Sequence, residues 1–289
     1  MPPSAAVSTE LPMTLNPLTT FSRLSPRWRS FFFRLFYRFL SRTYRRPDWK
    51  FMNYGYAPLE GEDGRLELNP EDEYNRASIQ LYHHLTSAVT LQRKEVLEVG
   101  CGRGGGAEYI ARYLKPLRMV GLDLSPSGIA FCRQLYDLEG LSFEVGDAQS
   151  LPYPDASFDV LINVESSHCY GDVGAFFNQV YRVLREGGSF LLADFRRVAD
   201  TPAFKDALDA SGLTTVREED ITPRILRALD LEQPHRTAFI KEMISPLLRG
   251  FSHQFAGTPG SRIYDRFLSG ESLYLSFVLQ KISSTITAN

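Results

Sequence analysis

A glycine-rich loop at residues 100–106 constrains this 289-residue chain more than any other feature of its sequence. The loop follows the strand-like segment Glu95–Val99 and precedes a helical pattern at Ala107–Leu114. Glycine lets the backbone turn sharply and approach a ligand closely, and the N-terminus of a helix offers free N–H groups. The sequence therefore predicts a ligand-binding turn between a strand and a helix.

Strand and helix patterns alternate along the chain around this loop. The predicted strands are Glu95–Val99, Met119–Leu124, Leu141–Val145, Phe158–Val164, Ser189–Asp194, Leu213–Glu218 and Ser272–Lys281. The predicted helices are Asn75–Val89, Ala107–Leu114, Ser127–Leu138, Val173–Leu184, Pro202–Ser211 and Pro223–Leu248. This order predicts an α/β fold, in which a doubly wound parallel sheet carries helices on both faces.

The glycine loop alone leaves two classes of cofactor open. Gly100, Gly102 and Gly105 fit the GxGxxG spacing of dinucleotide-binding proteins. Glu98 with Gly100, Gly102 and Gly104 fits the acid-x-G-x-G-x-G pattern of methyltransferases. The spacing of the loop residues does not choose between these two classes.

Two acidic residues at the ends of predicted strands narrow this choice. Asp123 ends the second strand, where a carboxylate can accept hydrogen bonds from both hydroxyls of a ribose. Asp147 follows the third strand in Gly146-Asp147-Ala148 and can accept a hydrogen bond from the exocyclic amine of an adenine. A dehydrogenase is disfavoured, because no hydride-transfer constellation accompanies this adenine site.

The order of these motifs over residues 91–198 resembles the class I S-adenosylmethionine-dependent methyltransferases. The resemblance implies a mostly parallel, seven-stranded Rossmann-like sheet with helical lid elements, and S-adenosyl-L-methionine as the cofactor. The family's cofactor contacts correspond here to Glu98, Gly100, Gly102, Gly104, Asp123, Leu124, Asp147, Ala148 and Asn163. No histidine cluster has metal-ligand spacing, so we expect no metal site.

His168 and Asp194 are the candidate catalytic residues. His168 follows the fourth predicted strand and Asp194 ends the fifth, and these strands are neighbours in the expected fold. A hydroxyl acceptor must lose a proton, and a neutral imidazole suits that task near pH 7. We expect His168 to act as general base and Asp194 to orient it and to stabilise the imidazolium. The alternative is that His168 only packs against the cofactor or shapes the pocket.

Beyond Trp49, the chain is similar to the phthiotriolone/phenolphthiotriolone dimycocerosate methyltransferases and to polyketide-tailoring O-methyltransferases. The similarity is carried by residues 51–56, 75–83, 98–106, 163–170 and 270–274. It implies an O-methyltransferase for a hydroxyl of a hydrophobic polyketide or lipid-like natural product. The alternative is a C-methyltransferase acting on an isoprenoid, sterol or quinone-like acceptor. Aromatic and apolar residues in two segments suit an apolar acceptor or an ordinary core (Trp49, Phe51, Tyr54 and Tyr56; Phe239, Met243, Ile244, Leu247 and Phe251).

The charge of the chain is uneven. Its 32 basic and 34 acidic residues give a net charge of −2, but eight arginines and one acid give residues 1–46 a charge of +7 and the remainder −9. The acidic remainder disfavours nucleic acid as a partner. Three cysteines without a CxxC pair suit a reducing, cytoplasmic compartment rather than a disulfide framework.

The basic segment is also aromatic, and a helix is predicted over Ser25–Thr43. It is too charged for a transmembrane helix, which needs about 20 consecutive apolar residues. Three roles are consistent with it, namely contact with an anionic membrane through residues 23–46, packing on the fold, and organelle targeting. We therefore expect a basic arm at residues 1–48, a lid and helix at 49–90, and a methyltransferase domain at 91–289 with a helical insertion at about 222–268.

Overall fold

A computed structural model describes residues 49–62, 66–243 and 257–282. These residues contain a seven-stranded sheet in the order β3-β2-β1-β4-β5-β7-β6. Strands β1 to β5 are parallel, whereas β7 runs antiparallel to both of its neighbours, β5 and β6. The strands are β1 Glu95–Val99, β2 Arg118–Asp123, β3 Leu141–Val145, β4 Phe158–Val164, β5 Leu184–Arg197, β6 Thr214–Asp220 and β7 Ser272–Gln280. The predicted fold class is confirmed.

The helices pack on both faces of this sheet. They are α1 Arg76–Thr86, α2 Gly105–Tyr109, α3 Pro126–Leu135, α4 Val173–Val183, α5 Thr201–Ala210, α6 Thr222–Met243 and α7 Arg262–Leu268. A π turn at Ile110–Leu114 continues α2, and single 3-10 turns lie at Pro70–Asn75, Ser167–Cys169 and Val198–Asp200. None of the helices in the described ranges is both long and apolar enough to span a bilayer.

The central strands are apolar on both faces because each face is covered by helices. In β1, Val96 packs into the cluster that contains the inner faces of α1 to α3, whereas Leu97 and Val99 pack into the cluster under α4 and α5. All three side chains are completely buried. An acidic residue between them, Glu98, is therefore carried into the interior by the same strand.

Three predicted strands, β1, β3 and β4, agree with the structure residue for residue. The fifth strand is longer than predicted at both ends, and its residues Gly187 and Gly188 lie opposite a register shift between Phe158 and Val160 of β4. Helix α7 lies within the helical insertion predicted at about 222–268 but was not predicted as a separate helix. The predicted helix at Ser25–Thr43 and the whole basic arm lie outside the described residues.

The order of the sheet places the functional motifs on one edge. Strand β1 lies between β2 and β4, so the chain crosses from one side of β1 to the other between β3 and β4. In such sheets, ligands bind at the carboxyl ends of the strands beside this switch point. The glycine loop, Asp123 and the residues after β4 all lie there.

Candidate active site

A cavity of about 640 Å³ opens at the carboxyl ends of β1, β2 and β4. This volume is typical of a site for a molecule of cofactor size. One wall is formed by predicted cofactor residues, namely Gly100, Gly102, Asp123, Leu124, Asp147 and Ala148. A lid segment, residues 49–57, contributes Lys50, Phe51, Met52 and Asn53 to the lining. The glycine loop and the lid segment therefore both line the cavity.

The glycine loop is shaped by close approaches that exclude side chains. Gly100 has a φ of +79°, and a Cβ at this position would lie 2.0 Å from the Ser166 hydroxyl oxygen. A Cβ at Gly106 would lie 2.1 Å from the ring of Tyr82 in α1. The loop can pass between β4 and α1 only because both positions lack a side chain.

Asp123 and Asp147 offer carboxylates to the cavity. Asp123 accepts hydrogen bonds from the backbone N–H groups of Gly102 (2.9 Å) and Ser125 (2.8 Å), and burial raises the pKa of its carboxyl. Asp147 is exposed and accepts from the backbone N–H of Gln149 (2.9 Å). The two carboxyls thus lie on the wall of one cavity.

Three of the predicted cofactor residues do not line this cavity. Glu98 is completely buried behind the loop, where one oxygen accepts a hydrogen bond of 2.6 Å from the Tyr82 hydroxyl. Its other oxygen has no hydrogen-bond partner among the described residues, and burial raises the pKa of this carboxyl to about 7. Asn163 and Gly104 also lie behind the wall. The contacts of all nine predicted residues with the cofactor stay predictions, whether or not they line the cavity.

Asn163 supports the wall from β4. Its side-chain amide donates hydrogen bonds to the carbonyl of Val99 (2.7 Å) and to the Tyr170 hydroxyl (3.0 Å). The Tyr170 hydroxyl is 2.8 Å from that of Ser166, and both residues line the cavity. Asn163 therefore connects the ends of β1 and β4 to the polar groups beside the glycine loop.

His168 and Asp194 are in direct contact. The 3-10 turn after β4 carries His168, and its ring nitrogen Nδ1 lies 2.8 Å from Asp194 Oδ1. Asp194 Oδ2 accepts hydrogen bonds from the backbone N–H of His168 (2.9 Å) and from the Ser167 hydroxyl (2.6 Å). These contacts fix the imidazole through Nδ1 and leave Nε2 for another group.

The ionisation of His168 and Asp194 depends on their charged neighbours. Burial alone would raise the pKa of Asp194, but His168 and Arg196 hold it well below its ordinary value. Burial alone would lower the pKa of His168, but Cys169 and Asp194 raise it well above its ordinary value. Arg196 Nη1 lies 3.2 Å from Asp194 Oδ2. The buried carboxylate is thus shared by an imidazole and a guanidinium.

His168 and Asp194 are not part of the cavity wall, whereas Glu165 is. Glu165 is the first residue after β4, and its backbone has a φ of +46°. The sequence motif around His168 contains Glu165, but nothing in its pattern distinguishes this carboxyl from a solvated one. Tyr82, the partner of Glu98, was also missed, because its helical spacing is typical of a core residue.

The lid segment is held by cationic side chains. The Arg103 guanidinium lies between the rings of Trp49 (4.7 Å) and Phe131 (4.0 Å), and its Nε donates to the Trp49 carbonyl. Arg236 of α6 donates to the carbonyls of Asn53 (3.1 Å) and Tyr54 (3.0 Å). The lid is therefore tied both to the glycine loop and to α6.

The predicted aromatic residues of the lid have different surroundings. Phe51 lines the cavity, Tyr54 is buried against Phe195, and Tyr56 stacks on His84 at 4.6 Å. Neither tyrosine lines the cavity. The apolar set predicted between residues 239 and 251 falls outside the described side chains.

Comparisons with known proteins agree with this architecture. Residues 97–192 match a family model described as a methyltransferase domain. A cyclopropane synthase of Mycobacterium tuberculosis has a similar structure, with a TM-score of 0.64 at 18% identity over 84% of this chain and 93% of that one. A geranyl diphosphate C-methyltransferase of Streptomyces coelicolor gives a TM-score of 0.60 at 18% identity, over 81% and 93% of the two chains. These two structures share the fold with this chain.

Two curated relatives are more similar in sequence. A fatty-acid O-methyltransferase of Mycolicibacterium smegmatis is 38% identical over 86% of this chain and 89% of its own length. A probable phthiotriol/phenolphthiotriol dimycocerosates methyltransferase of Mycobacterium ulcerans is 39% identical over 79% of this chain and 88% of its own. The cavity has the size and the polar groups that S-adenosylmethionine needs. The glycine loop, the acidic strand ends and these similarities show that the chain belongs to the S-adenosylmethionine-dependent methyltransferases.

Proposed function

We propose that this enzyme transfers the methyl group of S-adenosylmethionine to a hydroxyl of a hydrophobic, polyketide or lipid-like acceptor, with His168 as general base. The observation that carries the proposal is the contact of 2.8 Å between His168 Nδ1 and Asp194 Oδ1. A hydroxyl needs a base, and this pair has the arrangement of an oriented one. The pair lies at the carboxyl ends of β4 and β5, on the same edge of the sheet as the cavity.

The protein's part in the reaction is positioning and proton transfer. When bound, the cofactor supplies a methyl group that its sulfonium already activates. The glycine loop and Asp123 would hold the cofactor, and the walls of the site would keep acceptor and methyl within about 3–3.5 Å of each other and aligned. Nε2 of His168 takes the proton of the acceptor hydroxyl, while Asp194 stabilises the resulting imidazolium. Proton transfer of this kind is worth about 10²–10⁴-fold in rate.

Aromatic side chains beside His168 support an apolar acceptor. The ring of Phe195 lies 4.4 Å from that of His168, 5.7 Å from Tyr54, 5.9 Å from Phe267 and 6.3 Å from Tyr274. Aromatic surfaces of this kind bind apolar groups without competing for the reacting hydroxyl. The fatty-acid and phthiotriol substrates in the names of the relatives are of the same chemical character.

A carboxylate acceptor is the second candidate. One relative is a fatty-acid O-methyltransferase, and the raised pKa of His168 favours an imidazolium that would attract an anion. A carboxylate needs no base, so His168 would then only anchor the acceptor. The two candidates differ in whether the rate rises as His168 loses its proton.

Substitution of His168 by alanine tests the proposal. We expect His168→Ala to lower kcat with hydroxyl acceptors about 10²–10⁴-fold while the affinity for S-adenosylmethionine is kept. Turnover with labelled methyl donor and calorimetry measure the two quantities. His235→Ala serves as control, because that side chain is 60% exposed. Retained turnover of hydroxyl acceptors in His168→Ala would refute the role of His168 as general base.

We also propose that the basic residues 23–46 bring the enzyme to an anionic membrane surface, where an apolar acceptor would be found. The proposal rests on the charge of +7 that eight arginines and one acid give residues 1–46. Co-sedimentation with anionic vesicles should be strong for the full chain and weak for a chain without residues 1–46. Equal binding of the two forms would contradict it.

A further inference from the structure

Glu165 lies between the cavity and the proposed base on strained backbone. Its φ of +46° is in the left-handed region, which side chains other than glycine, asparagine and aspartate seldom adopt. Its backbone N–H donates a hydrogen bond of 2.8 Å to the carbonyl of Ala193, the residue before Asp194. Such strain persists where the surrounding structure holds a residue for a purpose. This conformation brings the carboxyl to the cavity wall instead of continuing β4.

The carboxyl of Glu165 is held at one oxygen. Oε1 accepts a hydrogen bond of 2.7 Å from the backbone N–H of Tyr54 in the lid and one of 2.8 Å from the Tyr274 hydroxyl of β7. Over the described ranges of the chain, no hydrogen bond reaches Oε2. The side chain is partly exposed and lines the cavity. One oxygen therefore fixes the group, and the other is available to a bound molecule.

The surroundings of Glu165 mark the acceptor end of the cavity. Charge interactions link its carboxyl to Asp194 of β5 and to His168 after β4. Tyr54 and Tyr274 donate hydrogen bonds to this carboxyl. Their rings pack on Phe195, and the ring of His168 packs on Phe195 as well. Arg236 of α6 faces it as a further charge. A methyl acceptor that reaches His168 past Phe195 must therefore approach Glu165.

We propose that Glu165 is a specificity-determining residue that selects hydroxyl acceptors over carboxylate acceptors, its Oε2 forming a hydrogen bond with a hydroxyl and repelling an anion. The inference rests on the proposed function, of which it defines the acceptor class. A hydroxyl can donate to a carboxylate, whereas a carboxylate acceptor has no proton to donate. Two like charges in a partly buried site repel each other, and about 5 Å of separation at an effective dielectric constant of about 20 corresponds to a factor on the order of 100 in affinity.

The ionisation of Glu165 adds a pH dependence to this selection. Burial raises the pKa of its carboxyl to about 7, although hydrogen bonds from Tyr54 and Tyr274 act in the opposite direction. Below pH 7 the neutral acid can donate to a carboxylate acceptor, and above pH 7 the anion repels it. The preference for a hydroxyl should therefore increase as the pH rises through about 7.

Matched acceptors and an isosteric variant test this. The relative kcat/KM for 1-hexadecanol and hexadecanoate is measured at pH 6 and pH 8 with the full chain and with Glu165→Gln. The amide oxygen of glutamine can still accept from Tyr54 and Tyr274, so the fold should be kept. Tyr274→Phe removes one of these hydrogen bonds but keeps the charge, and Glu139→Gln changes an exposed glutamate.

We expect the full chain to prefer the alcohol, more strongly at pH 8 than at pH 6. Glu165→Gln should lower this preference on the order of 100-fold at pH 8 and reduce its pH dependence to the part that deprotonation of His168 contributes, while Tyr274→Phe and Glu139→Gln retain the preference. An unchanged preference in Glu165→Gln would overturn the inference while turnover of the alcohol upholds the proposed function. A change in Tyr274→Phe equal to that in Glu165→Gln would also overturn it, because it would indicate a purely structural role.

A binding measurement separates this inference from the proposed function. The affinities of hexadecanol and hexadecanoate for the complex with S-adenosylhomocysteine are compared by calorimetry. If neither probe is methylated but Glu165→Gln shifts the ratio of affinities toward hexadecanoate, the inference stands and the proposed function fails. If neither is methylated and the ratio does not shift, both are refuted.

Discussion

Replacement of Asp194 by asparagine should disable the proposed base without removing it. The carboxylate of Asp194 accepts from His168 Nδ1 at 2.8 Å, from the Phe195 N–H at 2.8 Å and from the Ser167 hydroxyl at 2.6 Å. An asparagine has one acceptor atom and one donor, so it can satisfy only one side of this arrangement. If its NH2 group faces His168, Nδ1 must become the acceptor and the proton moves to Nε2, where the acceptor hydroxyl would meet a donor.

The expected loss follows from the size of general base catalysis. Loss of the base lowers kcat about 10²–10⁴-fold, which is about 3–5 kcal/mol of transition-state stabilisation. The pH dependence should change as well, because Asp194 helps to raise the pKa of His168 whereas burial lowers it. In Asp194→Asn the pKa of His168 therefore falls, and the residual activity should reach its plateau at lower pH than in the unmodified enzyme.

Substitution of Arg196 should shift the pKa of His168 in the opposite direction. Its guanidinium lies 3.2 Å from Asp194 Oδ2 and donates a hydrogen bond of 2.6 Å to the Ser167 hydroxyl. A cation on the same carboxylate disfavours the imidazolium of His168. In Arg196→Gln the pKa of His168 should rise, and the activity should need higher pH to reach its plateau.

Rates with labelled methyl donor between pH 5.5 and 10 measure both shifts, and calorimetry with S-adenosylmethionine shows whether the cofactor site is intact. Asp209→Asn, at an exposed position on α5, is the matched control. The reasoning is refuted if Asp194→Asn keeps the kcat of the unmodified enzyme, or if the two variants shift the pH profile in the same direction.

Two further predictions concern the glycine loop and the buried acid behind it. Gly100→Ala should destabilise the protein by about 1–3 kcal/mol and weaken cofactor binding, because its Cβ would lie 2.0 Å from the Ser166 hydroxyl oxygen. Gly187→Ala, with a similar φ of +75° and open space around it, should keep the cofactor affinity in the same unfolding and calorimetric assays. The pKa of Glu98 rises from 4.5 to about 7 on folding, so the folded state holds a proton that the unfolded state has lost, and the free energy of unfolding should fall by about 3 kcal/mol between pH 4.5 and 8. Urea unfolding should show a weaker pH dependence in Glu98→Gln; equal slopes would contradict this assignment.

The central strands were predictable because their sequence and environment agree. Strands β1 and β4 are largely buried, and at the ligand edge β1 ends at the glycine loop and β4 at Glu165. The sequence reading also paired His168 with Asp194, since neighbouring parallel strands end at one edge of a sheet. The start of β5 was predicted at Ser189 rather than Leu184, because a bulge inside a strand uses the same residues, here Gly187 and Gly188, as the end of a strand.

Glu165 could not be predicted because its importance depends on contacts between distant segments. Its two donors, Tyr54 and Tyr274, are 111 and 109 residues away along the chain. Its left-handed backbone conformation could not be predicted from the local sequence either, since the position holds neither glycine nor asparagine. The bounds of helix α7, within the predicted helical insertion, were not predicted because seven residues are too few to establish a period.

Strand β7 is the last of the described strands in the chain, although it lies between β5 and β6 in the sheet. Strand β6 pairs only with β7 among the described strands. During synthesis, strands β1 to β5 can associate before β7 has been made, which leaves one edge of β5 unpaired. Unpaired strand edges are prone to pair with other chains. Because Tyr274 of β7 also binds Glu165, the nascent protein can complete the cofactor edge of its sheet well before the acceptor end exists.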